Sequence, residues 1–400
     1  MDALTTPSNW QKVRLGDVAE IIGGGTPSTQ ITSFWNGSIN WFTPTEIGIT
    51  KYVYKSQRTI TPLGLKKSSA KLLPIGTILL TSRASIGDCA ILKVAATTNQ
   101  GFQSLIPLEK INNEFLYYLI LTLKNKLLEL ASGSTFLEVS PNKIKNLLIP
   151  LPPLNEQIAI ANILSDMDHY LCSLDALILK KESVKKALSF ELLSQRKRLK
   201  GFNQAWQKVR LGTYKYRRGS FPQPYGNPQW YSDNGMPFVQ VYDVGENFKL
   251  TQKTKQKISK IAQPMSVFVP KNSVIITLQG TIGRVALTQY DCYCDRTILI
   301  FDNNTLNDVN KYFFVLSLFT KFEEEKRKAD GSIIKTITKQ TLKDFEIPLP
   351  SLNEQIAIAN ILSALDHEIA SLKNKKRQFD NIKKALNHDL MSAKIRVLKK

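Results

Sequence analysis

The stretch IPLPPLNEQIAIANILSDMDH, Ile149–His169, returns as IPLPSLNEQIAIANILSALDH, Ile347–His367, with Leu154–Ser165 and Leu352–Ser363 identical at every position. A duplication this long divides the chain in two before any other feature is considered. Its period, 198 residues from Ile149 to Ile347, far exceeds the roughly 20–50 residues of a solenoid repeat, so each copy belongs to a globular unit with an appendage. Other echoes agree. WQKVRLG occurs at Trp10–Gly16 and Trp206–Gly212, and TSRASIGDCAIL from Thr81 answers TLQGTIGRVAL from Thr277, both at an offset of 196. A weaker echo pairs ASGSTF from Ala131 with ADGSII from Ala329.

The repeated stretch changes character midway. Pro150, Pro152 and Pro153, like Pro348 and Pro350, hold the backbone extended. Asn155 or Asn353 then suits a helix cap, with Glu156 or Glu354 on the favourable end of the dipole. Beyond lies a sustained 3.5-residue apolar repeat, the mark of a coiled coil. In the first copy its core positions are Ile160, Leu164, Met167, Leu171, Leu174, Ile178, Lys181, Lys185, Leu188 and Leu192. In the second they are Ile358, Leu362, Leu365, Ile369, Leu372, Lys376, Phe379, Lys383, Leu386 and Leu390. Such a helix spans roughly 65–70 Å and overhangs a domain some 35–40 Å across. Pairing the two helices antiparallel satisfies both stripes, relates the units by an approximate two-fold axis and places one globular domain at each end of a rod.

Upstream of each helix the text is that of a mixed sheet with helices. GTILLTSRASIGDCAILKV reads as two strands joined through a turn at Ser85–Gly87, with SVIITLQGTIGRVALTQY in the matching place. NEFLYYLILTLKNKLLELA (Asn113–Ala131) and DVNKYFFVLSLFTKFEEEKRK (Asp308–Lys328) are apolar at helical spacing and end near Gly133 and Gly331. The expected boundaries are 1–150 and 201–348 for the globular parts, and 151–200 and 349–400 for the helical spacers.

The 400 residues are 42% hydrophobic, enough for ordinary cores. No apolar run approaches 18 residues and the N-terminal text shows no charged-then-apolar signal, which leads to the expectation of a cytoplasmic protein. Four cysteines, Cys89, Cys172, Cys292 and Cys294, are too few and uneven for a disulfide framework. Cys-Tyr-Cys at Cys292–Cys294 lacks the second pair of a zinc site. With 54 Lys and Arg against 33 Asp and Glu, the formal net charge is +21, the electrostatic footprint of a polyanionic partner. Residues 1–150 carry 15 basic and 9 acidic residues and 201–350 carry 21 and 13. An excess in both globular parts favours nucleic acid, since each neutralised phosphate releases counterions.

Taken together, PLPPLNEQIAIANIL and PLPSLNEQIAIANIL opening long helices, GGGTPS with FWNGSINWFTP downstream, and the TSRASIG/TLQGTIG turn resemble the specificity subunit of type I restriction–modification systems. The match runs through nearly the whole chain in order. The resemblance implies two similar globular target-recognition domains of mixed α+β or α/β build, separated by a long antiparallel two-helix coiled coil with internal pseudo-two-fold symmetry. It implies a non-catalytic subunit: each domain binds one half of a split DNA site, and the helices set the spacer. Two methyltransferase subunits dock on the helices, and restriction/translocase subunits join for cleavage. S-adenosylmethionine, ATP and Mg are expected on those partners and not on this chain. It places Asn155, Glu156 and Gln157, with Asn353, Glu354 and Gln355, next to the methyltransferase. Identical partners demand identical surfaces and different half-sites demand divergent domains, which is the contrast between the two copies.

Missing motifs agree. No G-x-x-x-x-G-K-[ST] occurs, so Gly23–Gly25 is not a P-loop, and the D/N-P-P-Y/F signature of an adenine methyltransferase is absent, Asn227–Trp230 being only a superficial approach. His169 and His367 hold equivalent helix positions and His388 has no counterpart. Base readout needs paired donors or acceptors on loops and phosphate contacts need Lys, Arg or exposed amides. On that basis the candidates in the first domain are Gly23, Gly24, Gly25 and Thr26, the cluster Lys66, Lys67 and Lys71, and Arg83. In the second they are Arg217 and Arg218, the run Lys253, Lys255 and Lys257 between Lys249 and Lys260, and Gln279. Arg83 and Gln279 are equivalent, and Arg favours guanine as Gln favours adenine. Competing readings stay open: a plain turn at the glycines, an acid partner for Arg83 within its domain, and solvated faces for the lysine runs. At the level of the chain the rivals are a nucleic-acid enzyme with an unrecognised site, a free-standing nucleic-acid binder, and a subunit serving a fused methyltransferase–nuclease.

Overall fold

A computed structural model describes residues 9–133, 137–280, 282–328 and 339–397. The ADGSII echo, the Gly331 helix end, Ser134–Phe136 and Thr281 lie outside the described residues. The chain forms two compact units, the first from residues 1–176 with 373–400, the second from 177–372.

In the first unit, WQKVRLG becomes a strand, Gln11–Arg14, that pairs antiparallel with Leu148–Leu151 of the Pro-rich exit, Lys12 opposite Pro150. In the second, Gln207–Arg210 pairs identically with Glu346–Leu349, Lys208 opposite Pro348. This two-stranded clip explains why the two motifs duplicate together. Pro, which donates no ladder hydrogen bond, is tolerated because each ribbon has only two strands.

The first unit adds a five-stranded sheet in the order Ala19–Gly23, Gln103–Pro107, Ile78–Leu80, Cys89–Leu92, Tyr52–Val53, and a three-stranded one in the order Arg58–Ile60, Trp35–Phe42, Ala96–Thr98. The second unit has two four-stranded sheets. One runs Tyr216–Arg218, Ile298–Phe301, Val274–Thr277, Val285–Leu287, and the other Gln256–Ile258, Tyr231–Val239, Cys292–Cys294, Val267–Val269. The expected hairpin is present as Ile78–Leu80 against Cys89–Leu92. The Asn113–Ala131 helix is instead two, Asn113–Thr122 and Lys124–Leu130, broken at Leu123, whose ψ of 2° leaves the helical region. Lys311–Lys328 is one helix.

Two 40-residue helices follow the clips, Leu154–Leu193 and Leu352–Met391. They start one residue before Asn155 and Asn353, which therefore lie inside the first turn and are not caps. The amides of Glu156 and Gln157 close that turn on the Pro153 carbonyl. All twenty expected core positions are buried or half-buried.

Within each unit the two helices run antiparallel. In the first, Asp168 pairs with Lys383 and Asp175 with Lys376, with Tyr170 and Phe379 rings 4.7 Å apart between them. In the second, Lys185 pairs with Asp366 and Lys181 with Glu368. Four lysines at heptad core positions therefore meet carboxylates of the facing helix, a pattern that fixes register better than an all-apolar seam does. The globular part is tied to the same pairs: Tyr118 donates to Asp168 in the first unit and Tyr312 to Asp366 in the second.

Candidate nucleic-acid interface

The identical LNEQ stretch is chiefly an internal clasp. Glu156 is 2% exposed; its carboxylate accepts from Trp10 Nε1 at 3.1 Å and from Arg396 Nε and Nη2 at 2.7 and 3.0 Å. Glu354, 1% exposed, accepts from Trp206 Nε1 at 3.1 Å and from Arg198 Nε and Nη2 at 3.3 and 2.8 Å. Gln157 accepts from the Asn112 amide at 2.8 Å and donates to the Lys110 and Pro152 carbonyls at 3.1 and 2.9 Å. Gln355 does the same with Asn310, Asp308 and Pro350. A buried carboxylate needs such partners, because desolvation costs several kcal/mol unless charge and hydrogen bonds offset it. Glu156, Gln157, Glu354 and Gln355 thus face inward, correcting their expected place at a partner surface. What each helix start exposes is Leu154, Asn155 and Ile158, and Leu352, Asn353 and Ile356. Sequence reasoning missed Trp10, Arg198, Trp206 and Arg396, although the offset of 196 between the tryptophans and 198 between the arginines carries the signal.

In the first unit, most of the candidate DNA contacts converge on one surface. Gly24 and Gly25 lie against the loop after Ala96–Thr98: their amides donate to the Phe102 and Thr98 carbonyls at 3.4 and 2.8 Å. Those amides are therefore not phosphate donors. The glycines are required for close approach, since a Cβ on Gly24 would fall 1.8 Å from the Asn99 carbonyl oxygen and one on Gly25 2.3 Å from Ser69 Oγ. This contact brings the lysine cluster alongside, with Lys66, Lys67 and Lys71 all exposed. Thr26 donates to Gln100 Oε1. Arg83 joins through its amide, 3.4 Å from the Gly101 carbonyl, and its guanidinium pairs with Glu138 at 2.9 Å. The acid partner is present, yet the side chain is 43% exposed and keeps donors facing outward.

The second unit repeats the arrangement. Gly219 packs where Gly24 does, a Cβ there falling 2.3 Å from the Asp295 carbonyl oxygen. Arg217 and Arg218 are exposed on the edge strand just before it, with Arg217 donating to the Phe268 carbonyl at 3.1 Å. Gln279 is exposed beside the same loop. Lys253, Lys255 and Lys257 are exposed, and Lys257 donates to the Asp233 carbonyl at 2.8 Å. The Lys255 amide donates to buried Asp243 at 3.0 Å. Burial raises the Asp243 carboxyl above its usual range, and the amides of Gln240 and Lys255 oppose that shift. The Tyr225 hydroxyl, pushed up to about 12 by burial and by Asp295, stays protonated and donates to Asp295 at 3.2 Å.

These surfaces are basic, exposed and built on one frame with different side chains. No group of three or more metal-ligating side chains occurs among the described residues, and no described helix is long and apolar enough to cross a membrane.

Comparison with known proteins agrees with this geometry. The family model for the type I restriction modification DNA specificity domain matches twice, at residues 7–181 and 223–379. A putative type I restriction enzyme MjaX specificity subunit of Methanocaldococcus jannaschii is 28% identical over 98% of this chain and 95% of its own length. The MjaIX specificity subunit of the same organism is 42% identical over 40% of this chain, an alignment spanning 38% of that relative. The EcoR124I/EcoR124II specificity subunit of Escherichia coli is 37% identical over 38% of this chain and 40% of its own length. Among solved structures, the S subunit from M. genitalium shares the fold at a TM-score of 0.58 and 18% identity, covering 97% of both chains. A chain from a study of type I R-M complex assembly reaches 0.65 at 20% identity, over 97% of this chain and 98% of that one. The chain belongs to the type I restriction–modification specificity subunits, the non-catalytic DNA-recognition members of their complexes.

Proposed function

We propose that this chain recognises a bipartite DNA target, one half per unit, and scaffolds two methyltransferase subunits together with restriction/translocase subunits. The observation that carries this reading is the contrast between two kinds of surface. The helix starts expose the same residues twice, Leu154, Asn155 and Ile158 against Leu352, Asn353 and Ile356, which suits two copies of one partner. The loop surfaces share a backbone frame but differ in side chain, Arg83 against Gln279 being one instance, which suits two different half-sites.

The chemistry of this chain is then positional. Lysines and arginines neutralise phosphates and release counterions, which supplies affinity and orientation. Forked or amide side chains at loop tips read base edges in the major groove. The length of the coiled coil sets the spacer, as dimer geometry sets half-site separation. S-adenosylmethionine, ATP and Mg act on the partner subunits.

The test is stoichiometry. The chain co-expressed with its methyltransferase should yield a complex of two methyltransferase copies per chain by mass photometry. Ile158→Asp and Ile356→Asp should each remove one copy while leaving the melting temperature of the chain alone unchanged. Retention of both copies in the double variant would refute the docking assignment.

A further inference from the structure

We infer that Gln100 and Arg296 are specificity-determining residues, each forming a two-residue reading head with its neighbour on the adjoining turn, Arg83 or Gln279, in an order reversed between the two units. This rests on the proposed role in DNA recognition and extends it to a second element in each unit.

The frame around the two residues is the same. In the first unit the Gly101 carbonyl accepts from the amides of Ser82 and Arg83 at 2.8 and 3.4 Å, which sets Gln100 beside Arg83. In the second the Thr297 carbonyl accepts from the Leu278 amide at 2.9 Å, which sets Arg296 beside Gln279. Gln100 and Arg296 are separated by 196 residues, as are Arg83 and Gln279. Each loop is closed by its own side chain: Asn99 Oδ1 accepts from the Gly101 amide and Asp295 Oδ1 from the Thr297 amide, both at 2.9 Å. This turn holds the intervening residue outward, and both Gln100 and Arg296 are exposed.

Each is also oriented from behind. Thr26 donates to Gln100 Oε1, which fixes the amide plane and leaves that oxygen a second lone pair. The Arg296 guanidinium stands over the Tyr225 ring at 5.3 Å, and Tyr225 is itself tied to Asp295. A reader of bases needs this preorganised placement, whereas a phosphate contact does not.

The chemistry follows from the pairing of types. Arginine offers a forked pair of donors to guanine O6 and N7, and glutamine one donor and one acceptor to adenine N6 and N7. One unit presents Arg83 then Gln100, the other Gln279 then Arg296. The pair of residue types is kept while the backbone frame stays constant, so the exchange alters which base is met at each place and not the way the surface is built.

The test maps N6-methyladenine on a plasmid library after co-expression of the full chain with its methyltransferase. Arg296→Gln should change the base accepted at one position of one half-site, lowering methylation of the original motif roughly 10- to 100-fold, and leave the other half-site intact. Gln100→Arg should do the same in the opposite half. Arg296→Lys keeps the charge but not the fork, and should relax that position without abolishing methylation. Uniformly weaker methylation with both half-sites unchanged would mean a phosphate contact and overturn the assignment. So would variants that melt as wild type and methylate the unaltered motif in full. A wild-type chain that yields no two-part motif would overturn the DNA-recognition reading as well, which separates the two failures.

Discussion

Replacing Glu156 by Ala tests whether the duplicated LNEQ stretch is a clasp before it is a surface. The carboxylate is 2% exposed and accepts three hydrogen bonds, two from the Arg396 guanidinium and one from the Trp10 indole. Its loss leaves the buried Trp10 N–H without its acceptor and the half-buried Arg396 guanidinium without its carboxylate, with Asn9 Oδ1 still accepting from Nη2 at 3.1 Å. Breaking a buried pair by removing one member costs about 3–5 kcal/mol. For a unit of about 200 residues, where 1 kcal/mol moves the midpoint by about 2–4 °C, the midpoint should fall by roughly 6–20 °C. Differential scanning calorimetry should place the loss in the transition of the first unit, and Glu354→Ala in that of the second. Asn155→Ala, an exposed neighbour, should shift neither by more than about 0.5 kcal/mol. If Glu156→Ala melts with the wild type, or Asn155→Ala melts as low as Glu156→Ala, the clasp is not what holds the helix start.

Three further expectations follow from the same geometry. A double-mutant cycle of Asp168→Asn and Lys383→Met should give a coupling of about 0.5–3 kcal/mol by urea denaturation, and additivity would deny the ion pair its place in the register. Lys253→Ala, Lys255→Ala and Lys257→Ala combined should lower the slope of log K against log salt by about 0.9 for each phosphate that these lysines neutralise, with the recognised sequence unchanged; an unaltered slope would place them off the DNA. Deleting seven residues around Leu171 and Leu174, with the matching seven around Ile369 and Leu372, should shorten the preferred spacer and keep both half-sites. A changed half-site with unchanged spacing would refute the coiled coil as ruler.

The long helices were legible because a 3.5-residue period held over ten positions suits little besides a coiled coil, and even the lysines within it kept the period. The clip was half legible: WQKVRLG and IPLP each occur twice, but their pairing joins residues about 140 apart and no local pattern announces it. Glu156 and Gln157 misled for a physical reason. Glutamate and glutamine are usually exposed, and the residues that permit the burial of Glu156, Trp10 and Arg396, stand 146 and 240 positions away. Gly24 and Gly25 looked like amide donors for phosphate, and only the fold shows those amides bonded to carbonyls. Gln100 and Arg296 escaped notice because TTNQGF and YCDRTI, Thr97–Phe102 and Tyr293–Ile298, share no telling letters. Their equivalence appears once the Gly101 and Thr297 carbonyls are seen to accept from matching turns.

The most direct test of the central claim is the methylation pattern written with and without this chain. N6-methyladenine should be mapped by long-read sequencing on a plasmid library carrying the methyltransferase with the chain or alone. Methylation confined to one two-part motif, and absent without the chain, is the predicted result. Methylation that is indifferent to the chain, or spread over sites with no common two-part sequence, would contradict the account.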